Sequence, residues 1–376
     1  MEKQLRYVLM LSLEEMALRR VAVVLWNEPD ILASIGKLQF KPDRNPFHPA
    51  WDEIEWRGTV ECKVTDEMSK LLLPESLKKQ MIPRLKAVGL EIPIWKVLHE
   101  AYLSDSNEDF NIDILEKLFW TTVGTVDYKK TAEELVRCDE VDIVKRFELA
   151  CFYCLENYIP LFWNELPEEN KKTFYNEEDT SRVERPNLQL FLPYILKRQP
   201  EFDHLPLTTI HTNSFEYSAL CGNKTLTEYC FWKLSKEERE ASLVQTAINL
   251  VIHREDMFFR QSAVRQKKLS DVLCYLLSLM TPEEQIRIFK ELSCEVLRCF
   301  LDWPWQDLFW DIADVSWTFL PERKYRKLLF KIKVSIGDSG CCFPTFFQNL
   351  FLRSPIDFIK RFVDHECRDG DFSGYF

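Results

Sequence analysis

Residues 269–284, LSDVLCYLLSLMTPEE, carry the pattern on which the fold turns. After Leu269, the residues Val272, Leu273, Leu276, Leu277 and Met280 recur at three- and four-residue spacing, which lines one face of a helix. The next four residues begin another helix. Thr281 is placed to cap, and Pro282 takes the first helical position, where its missing N–H is no loss. Glu284 can reach back to the N–H of the cap. One helix stops and the next starts with no glycine between them.

The same start signal recurs. Ser235-Lys236-Glu237-Glu238 and the stretch Ser12 to Glu15 repeat it, and Leu166-Pro167-Glu168-Glu169 and Leu320-Pro321-Glu322-Arg323 are cruder versions. From Glu169 to Glu238, Glu284 and Arg323 the intervals are 69, 46 and 39 residues. Periods of about 33 to 47 belong to stacked helix pairs of the ankyrin, HEAT and armadillo kinds. A polar insertion at 176–213, with Pro186, Pro193, Pro200 and Pro206, accounts for the long interval. Further helical stripes run through Val144, Phe147, Cys151, Cys154 and Leu155, and through Leu115, Leu118 and Phe119. Thr59 to Val64 (TVECKV) is the best candidate for a short strand.

Composition points the same way. Only 9 of 376 residues are glycine, where an average usage of about 7% would give about 26. Phosphate cradles and tight hairpins need residues that tolerate positive φ. No GxGxxG and no GxxxxGK[ST] can be assembled here. The expected fold is all-α, with helix pairs stacked into an irregular ankyrin- or HEAT-like α-solenoid. Residues 1–125 read as an N-terminal helical region with a Pro- and Trp-rich loop at 36–66. Residues 126–376 read as the helical-repeat region that carries the 176–213 insertion.

Charge and cysteine usage bound the partners. A formal net charge of −11 and an isoelectric point near 5.3 argue against nucleic-acid binding, which needs a basic field. Met16 to Trp26 (MALRRVAVVLW) is the most membrane-like stretch, yet Arg19 and Arg20 interrupt it. It is too short to span a bilayer, and Glu14 and Glu15 stand where a signal peptide would carry positive charge. An amphipathic first helix is expected there. Twelve cysteines spread along a long chain fit reduced thiols and a cytoplasmic setting. The glycosylation sequon Asn223-Lys224-Thr225 would then be coincidental.

The segment TAEELVRCDEVDIVKRFELACFYCLENYIPLFWNEL (131–166), with SPIDFIKRFVD (354–364), resembles degenerate ankyrin-type repeat protein. The resemblance extends over at most residues 130–376. It implies short stacked helices and a protein that binds other proteins through a concave face without catalysis.

Residues with chemical potential are few in pattern. Cys151 and Cys154 form the one CxxC, but a structural zinc site wants four ligands, and both fall on an apolar helix face. Cys341, Cys342, His365 and Cys367 could meet near the C-terminus as a metal cluster or as a Cys–His nucleophile pair. Asp307, Asp311 and Asp314 would share an edge of a helix after Asp302 and read as a solvated acidic face. The strongest charge signal is Arg323 to Lys333, RKYRKLLFKIK. There Lys324, Lys327 and Lys331 share one face, while Leu328, Leu329 and Ile332 point inward. Arg323, Lys324, Lys327 and Lys331 are the candidate partner-binding residues, with loops 36–66 and 176–213 beside them. The expected function is a non-enzymatic scaffold for other proteins, with no cofactor. The alternative is an enzyme whose Cys–His or acid–base site is assembled from distant positions.

Overall fold

A computed structural model describes residues 7–38, 55–103, 112–175, 207–255, 263–339 and 346–360. Among them the chain is helical, and its extended pairing is limited to one isolated antiparallel bridge between Trp120 and Val126. None of these helices is long and apolar enough to cross a membrane.

The N-terminal part is built on one long helix. We number the helices α1 (Leu13–Trp26), α2 (Pro29–Gly36), α3 (Cys62–Lys70) and α4 (Glu75–Leu103). Met81, Leu85, Val88, Ile92 and Trp95 follow one another at helical spacing along α4 and are buried. α1 packs on this stripe. The crossing is close because position 89 is glycine: a Cβ there would overlap the indole of Trp26. Trp26 donates from Nε1 to the Leu85 carbonyl at 2.7 Å and stacks on Trp56 with centroids 5.4 Å apart.

Thr59 to Val64, the strand candidate, is helical. A π-helical turn at Trp56–Glu61 runs straight into α3. Val60 and Val64, four residues apart, are both fully buried, and that spacing holds them on one helix face. A lone strand would leave its backbone groups without partners, whereas a helix satisfies them internally. Residues 55–66 of the expected loop 36–66 are therefore helical, and 39–54 lie outside the described residues.

Four short helices follow α4: α5 (Ile112–Glu116), α6 (Tyr128–Leu135), α7 (Ile143–Phe152) and α8 (Ile159–Glu165), with α9 (Glu168–Tyr175) after them. Asp127 and Asp142 cap α6 and α7 by accepting from backbone N–H groups. The longer helices are α10 (Leu207–Leu220), α11 (Lys224–Lys233), α12 (Lys236–Glu255), α13 (Ala263–Leu279) and α14 (Pro282–Cys299). They are followed by α15 (Phe309–Ser316), α16 (Glu322–Ser339) and α17 (Phe346–Arg353). α10 packs on α11 and α12, α12 on α13 and α14, and α14 on α15 and α16. Both halves of the capping box at α14 form, with Thr281 accepting from Glu284 N and Glu284 accepting from Thr281 N. Ser235 and Glu238 make the same pair of bonds at α12. Of the 176–213 insertion, residues 207–213 belong to α10 and 176–206 lie outside the described residues.

Segments far apart in the sequence also meet. Tyr7 packs near Phe300, α13 touches α4, and one continuous apolar core runs from Tyr7 to Leu350.

Candidate functional site

The loop Asp302-Trp303-Pro304-Trp305-Gln306-Asp307 joins α14 to α15, and its charged and aromatic residues tie it to α1, α12 and α13. Asp302 accepts from Arg254 Nη2 of α12 at 2.8 Å and from Ser270 Oγ of α13 at 2.6 Å. Trp303 lies under the guanidinium of Arg19, 4.1 Å from its ring centroid. Trp305 donates from Nε1 to Asp271 Oδ1 at 2.7 Å. Asp307 accepts from Arg19 Nη2 at 2.5 Å.

Arg19 is the centre of this arrangement. Its neighbour Arg20 is exposed, but Arg19 has no solvent exposure. Besides Asp307 it donates to Glu15 Oε1 at 2.7 Å and to the Val123 carbonyl at 3.0 Å, and Arg84 holds the other oxygen of Glu15 at 2.7 Å. Burial raises the Asp307 pKa, and the adjacent guanidinium only partly offsets this.

Together these contacts shape a cleft of about 650 Å³. One wall is the N-terminal segment Tyr7–Leu9 with Trp303, Pro304 and Trp305. Another is the turn at 121–128, where Gly124 adopts a φ of 80°. The start of α11 and the face of α13 that carries Lys268 and Asp271 close the far side. Gly222 sits there at a φ of 72°, and an added Cβ would come within 2.9 Å of the Lys268 Cβ. Both its conformation and its space demand glycine.

Apart from Lys129, which is exposed, the charges that line the cleft are matched. Glu91, buried on α4, pairs with Lys267 and accepts from Val126 N. Lys268 donates to Asp271 at 3.1 Å and lies 3.8 Å from the centroid of Tyr128. Burial pushes the Asp271 pKa up, but Lys268 and the Trp305 bond outweigh it, so the carboxylate stays ionised. Lys224 pairs with Glu228 at 3.6 Å. Behind Tyr153, which also lines the cleft, His99 touches the Tyr153 hydroxyl with Nε2 and the Trp95 carbonyl with Nδ1. The carbonyl can only accept, so Nδ1 carries the proton and Nε2 accepts from the hydroxyl. Burial lowers the His99 pKa to about 4.

The sequence matches no known family model and no curated relative.

The residues singled out from sequence lie elsewhere. None of Arg323, Lys324, Lys327 and Lys331 lines the cleft. Arg323 and Lys327 are exposed on α16, whereas Lys324 is held by Glu295 of α14 at 2.8 Å. The side chain of Lys331 is outside the described residues. Leu328, Leu329 and Ile332 point inward as the spacing requires. Cys151 and Cys154 are buried, and burial raises both thiol pKa values, which leaves protonated, unreactive groups. Among the described residues no three His, Cys, Asp or Glu side chains are placed to hold a metal. Cys341, Cys342, His365 and Cys367 fall outside them. Asp307 and Asp302, expected on a solvated edge, are instead tied to buried arginines, while Asp314 is exposed.

Sequence reasoning passed over Glu91, Tyr128, Lys268, Asp271 and the two tryptophans of the loop. A signal for Glu91 was present: it is the lone charge in VGLEIPIW (88–95), and an isolated charge in an apolar helix run needs a partner.

Proposed function

We propose that this protein is a non-enzymatic scaffold that binds a segment of another protein in the cleft formed by the Trp303–Trp305 loop, the 121–128 turn, α11 and α13. What carries the reading is the pairing of Glu91, Lys268 and Asp271 in that cleft. Glu91, Lys268 and Asp271 are each neutralised by a neighbour. Catalysis by acid, base or nucleophile needs a group held ready for proton transfer or attack. Aromatic walls with compensated charge suit adhesion instead.

The fold we infer to accompany this function is an irregular stack of helix pairs, ankyrin- or HEAT-like in kind. The succession of contacts from α10 through α16 supports it. The acidic balance of the chain favours protein over nucleic acid as partner, and the broadly spaced thiols favour a cytoplasmic setting.

A second reading has one observation in its favour. The contact between the Tyr153 hydroxyl and His99 Nε2 resembles an acid–base pair at a cleft wall. Against it, the other nitrogen of His99 ends on a backbone carbonyl, which cannot pass a proton onward.

Substituting Thr122, an exposed lining residue, tests the binding reading because it disturbs none of the ion pairs. Random peptides displayed on phage and selected on the protein should lose capture by Thr122→Trp and keep it with Thr122→Ala. Equal capture by both variants would remove the cleft as the binding site.

A further inference from the structure

Three lysines and four carboxylates line the cleft, and pairing them off leaves one charge over. Glu91 is met by Lys267, Asp127 by Lys130, Asp271 by Lys268 and Glu228 by Lys224. Lys129 is exposed and has no ion-pair or hydrogen-bond partner among the described residues. Glu156 is near enough to feel it, but that carboxylate is already served. Its pKa is lowered first by the Tyr229 hydroxyl, which donates to it at 2.6 Å, then by Lys233, and Lys129 contributes least. In a chain of net charge −11, the cleft thus keeps a positive charge that no neighbour uses.

That charge does not serve its own helix either. Lys129 is the second residue of α6, whose first turn holds no acidic residue. The positive end of a helix dipole favours acids there and disfavours lysine. Lys224 opens α11 in the same way, and its pair with Glu228 is loose. Both side chains are nearly half-exposed, and the lysine precedes the acid, which is the weaker order at that spacing. Residues that break a local rule without stabilising the fold are expected where a site is built.

The partly exposed rings of Phe152 and Trp305 line the same cleft. A carboxylate alone would leave those rings uncovered. An apolar group alone would strip water from Lys129 without replacing it, which is costly. An acidic residue next to an apolar one meets both demands. We infer, as a deepening that rests on the scaffold reading, that the segment taken by the cleft is acidic: a carboxylate side chain of the partner pairs with Lys129, and a neighbouring apolar side chain lies against the rings.

The test selects random hexapeptides displayed on phage, on the native protein and on Lys129→Glu in parallel. The selected peptides, synthesised with acetyl and amide ends, are then titrated calorimetrically into the full chain beside their Asp→Asn and Glu→Gln forms. The native protein should enrich Asp and Glu. It should bind each acidic peptide about 2- to 5-fold more tightly than the neutral form, the range for an exposed ion pair, and lose that preference at about 0.5 M salt. Lys129→Gln should erase the preference, and Lys129→Glu should turn it toward lysine-bearing peptides. Lys130→Glu changes the adjacent charge, which is outside the cleft lining, and should keep the native preference. The melting temperature of both Lys129 variants should stay level or rise, because the first turn of a helix loses an unfavourable charge.

Peptides that are blocked by Thr122→Trp yet show no acidic preference would overturn this inference and leave the scaffold reading standing. A preference reversed as fully by Lys130→Glu as by Lys129→Glu would overturn it too, since surface charge in general would then do the choosing. So would a lowered melting temperature in Lys129→Gln, which would give the lysine to the fold. Peptides indifferent to Thr122→Trp would sink both readings.

Discussion

Replacing Arg19 with methionine probes the contact that joins α1 to the loop before α15, 288 positions away. The side chain has no solvent exposure, and it serves Glu15, Asp307, the Val123 carbonyl and the face of Trp303. Breaking a buried ion pair from one side costs about 3–5 kcal/mol, chiefly because the abandoned charge stays buried. Two features lower that figure here. Glu15 keeps Arg84, and Asp307 retains some solvent contact with 27% side-chain exposure. The expected loss is about 2–4 kcal/mol at pH 8, or about 1 M in urea midpoint for a slope of about 3 kcal/mol/M.

The loss should depend on pH in a definite direction. The folded-state pKa of Asp307 already lies above its ordinary value because of burial. A raised carboxyl favours the folded state increasingly as pH falls toward the unfolded pKa. Without Arg19 the Asp307 pKa rises further, so the variant recovers stability from a higher pH than the native protein does. Urea unfolding followed by tryptophan fluorescence should therefore find a smaller deficit at pH 5 than at pH 8. The double variant Arg19→Met/Asp307→Leu, with no charge left behind, should regain more than half of the loss. Wild-type stability of the single variant at pH 8, or a deficit that grows on acidification, would refute the reasoning.

Gly89→Ala should destabilise by about 1–3 kcal/mol through overlap with the buried Trp26 indole, read as a lower urea midpoint; an unchanged midpoint would mean that α1 and α4 are not packed this closely. Thr281→Ala removes one half of the capping box and should cost about 1 kcal/mol in the same assay. His99, lowered by burial to about 4, remains neutral in the folded state while the unfolded chain takes up a proton near 6.5. Its contribution, on the order of 3 kcal/mol, is complete above pH 6.5 and is lost as pH falls toward 4. An NMR titration should find the ring uncharged at about pH 5.5, and a charged ring there would contradict the burial.

The helix starts were legible because their chemistry is local. Thr281 and Glu284, or Ser235 and Glu238, meet within one turn, and four residues suffice to state the rule. The cleft is assembled by the opposite means. Arg19 and Asp307 are 288 positions apart, and Glu91 and Lys267 are 176 apart. No spacing records such a pair. Arg19 and Arg20 look alike in MALRRVAVVLW, but about 100° of helical rotation sends one into the core and the other to solvent. Thr59 to Val64 misled for a related reason. Six β-branched and polar residues suit a strand, and the burial of Val60 and Val64 on one face of a helix decided otherwise.

Arg19 does not line the cleft, yet the cleft depends on it. Trp303 turns its ring face to Arg19 and also forms part of the cleft wall. A guanidinium over an indole is worth about 1 kcal/mol, more when shielded from water. Charge compensation in Arg19→Met/Asp307→Leu restores the balance of the ion pairs but not this ring contact. Stability and binding should then part company: the double variant should regain more than half of the lost stability while binding the phage-selected peptides about fivefold more weakly. Native affinity in that variant would mean that Trp303 is held in place by packing alone, and that the buried arginine serves the fold without serving the site.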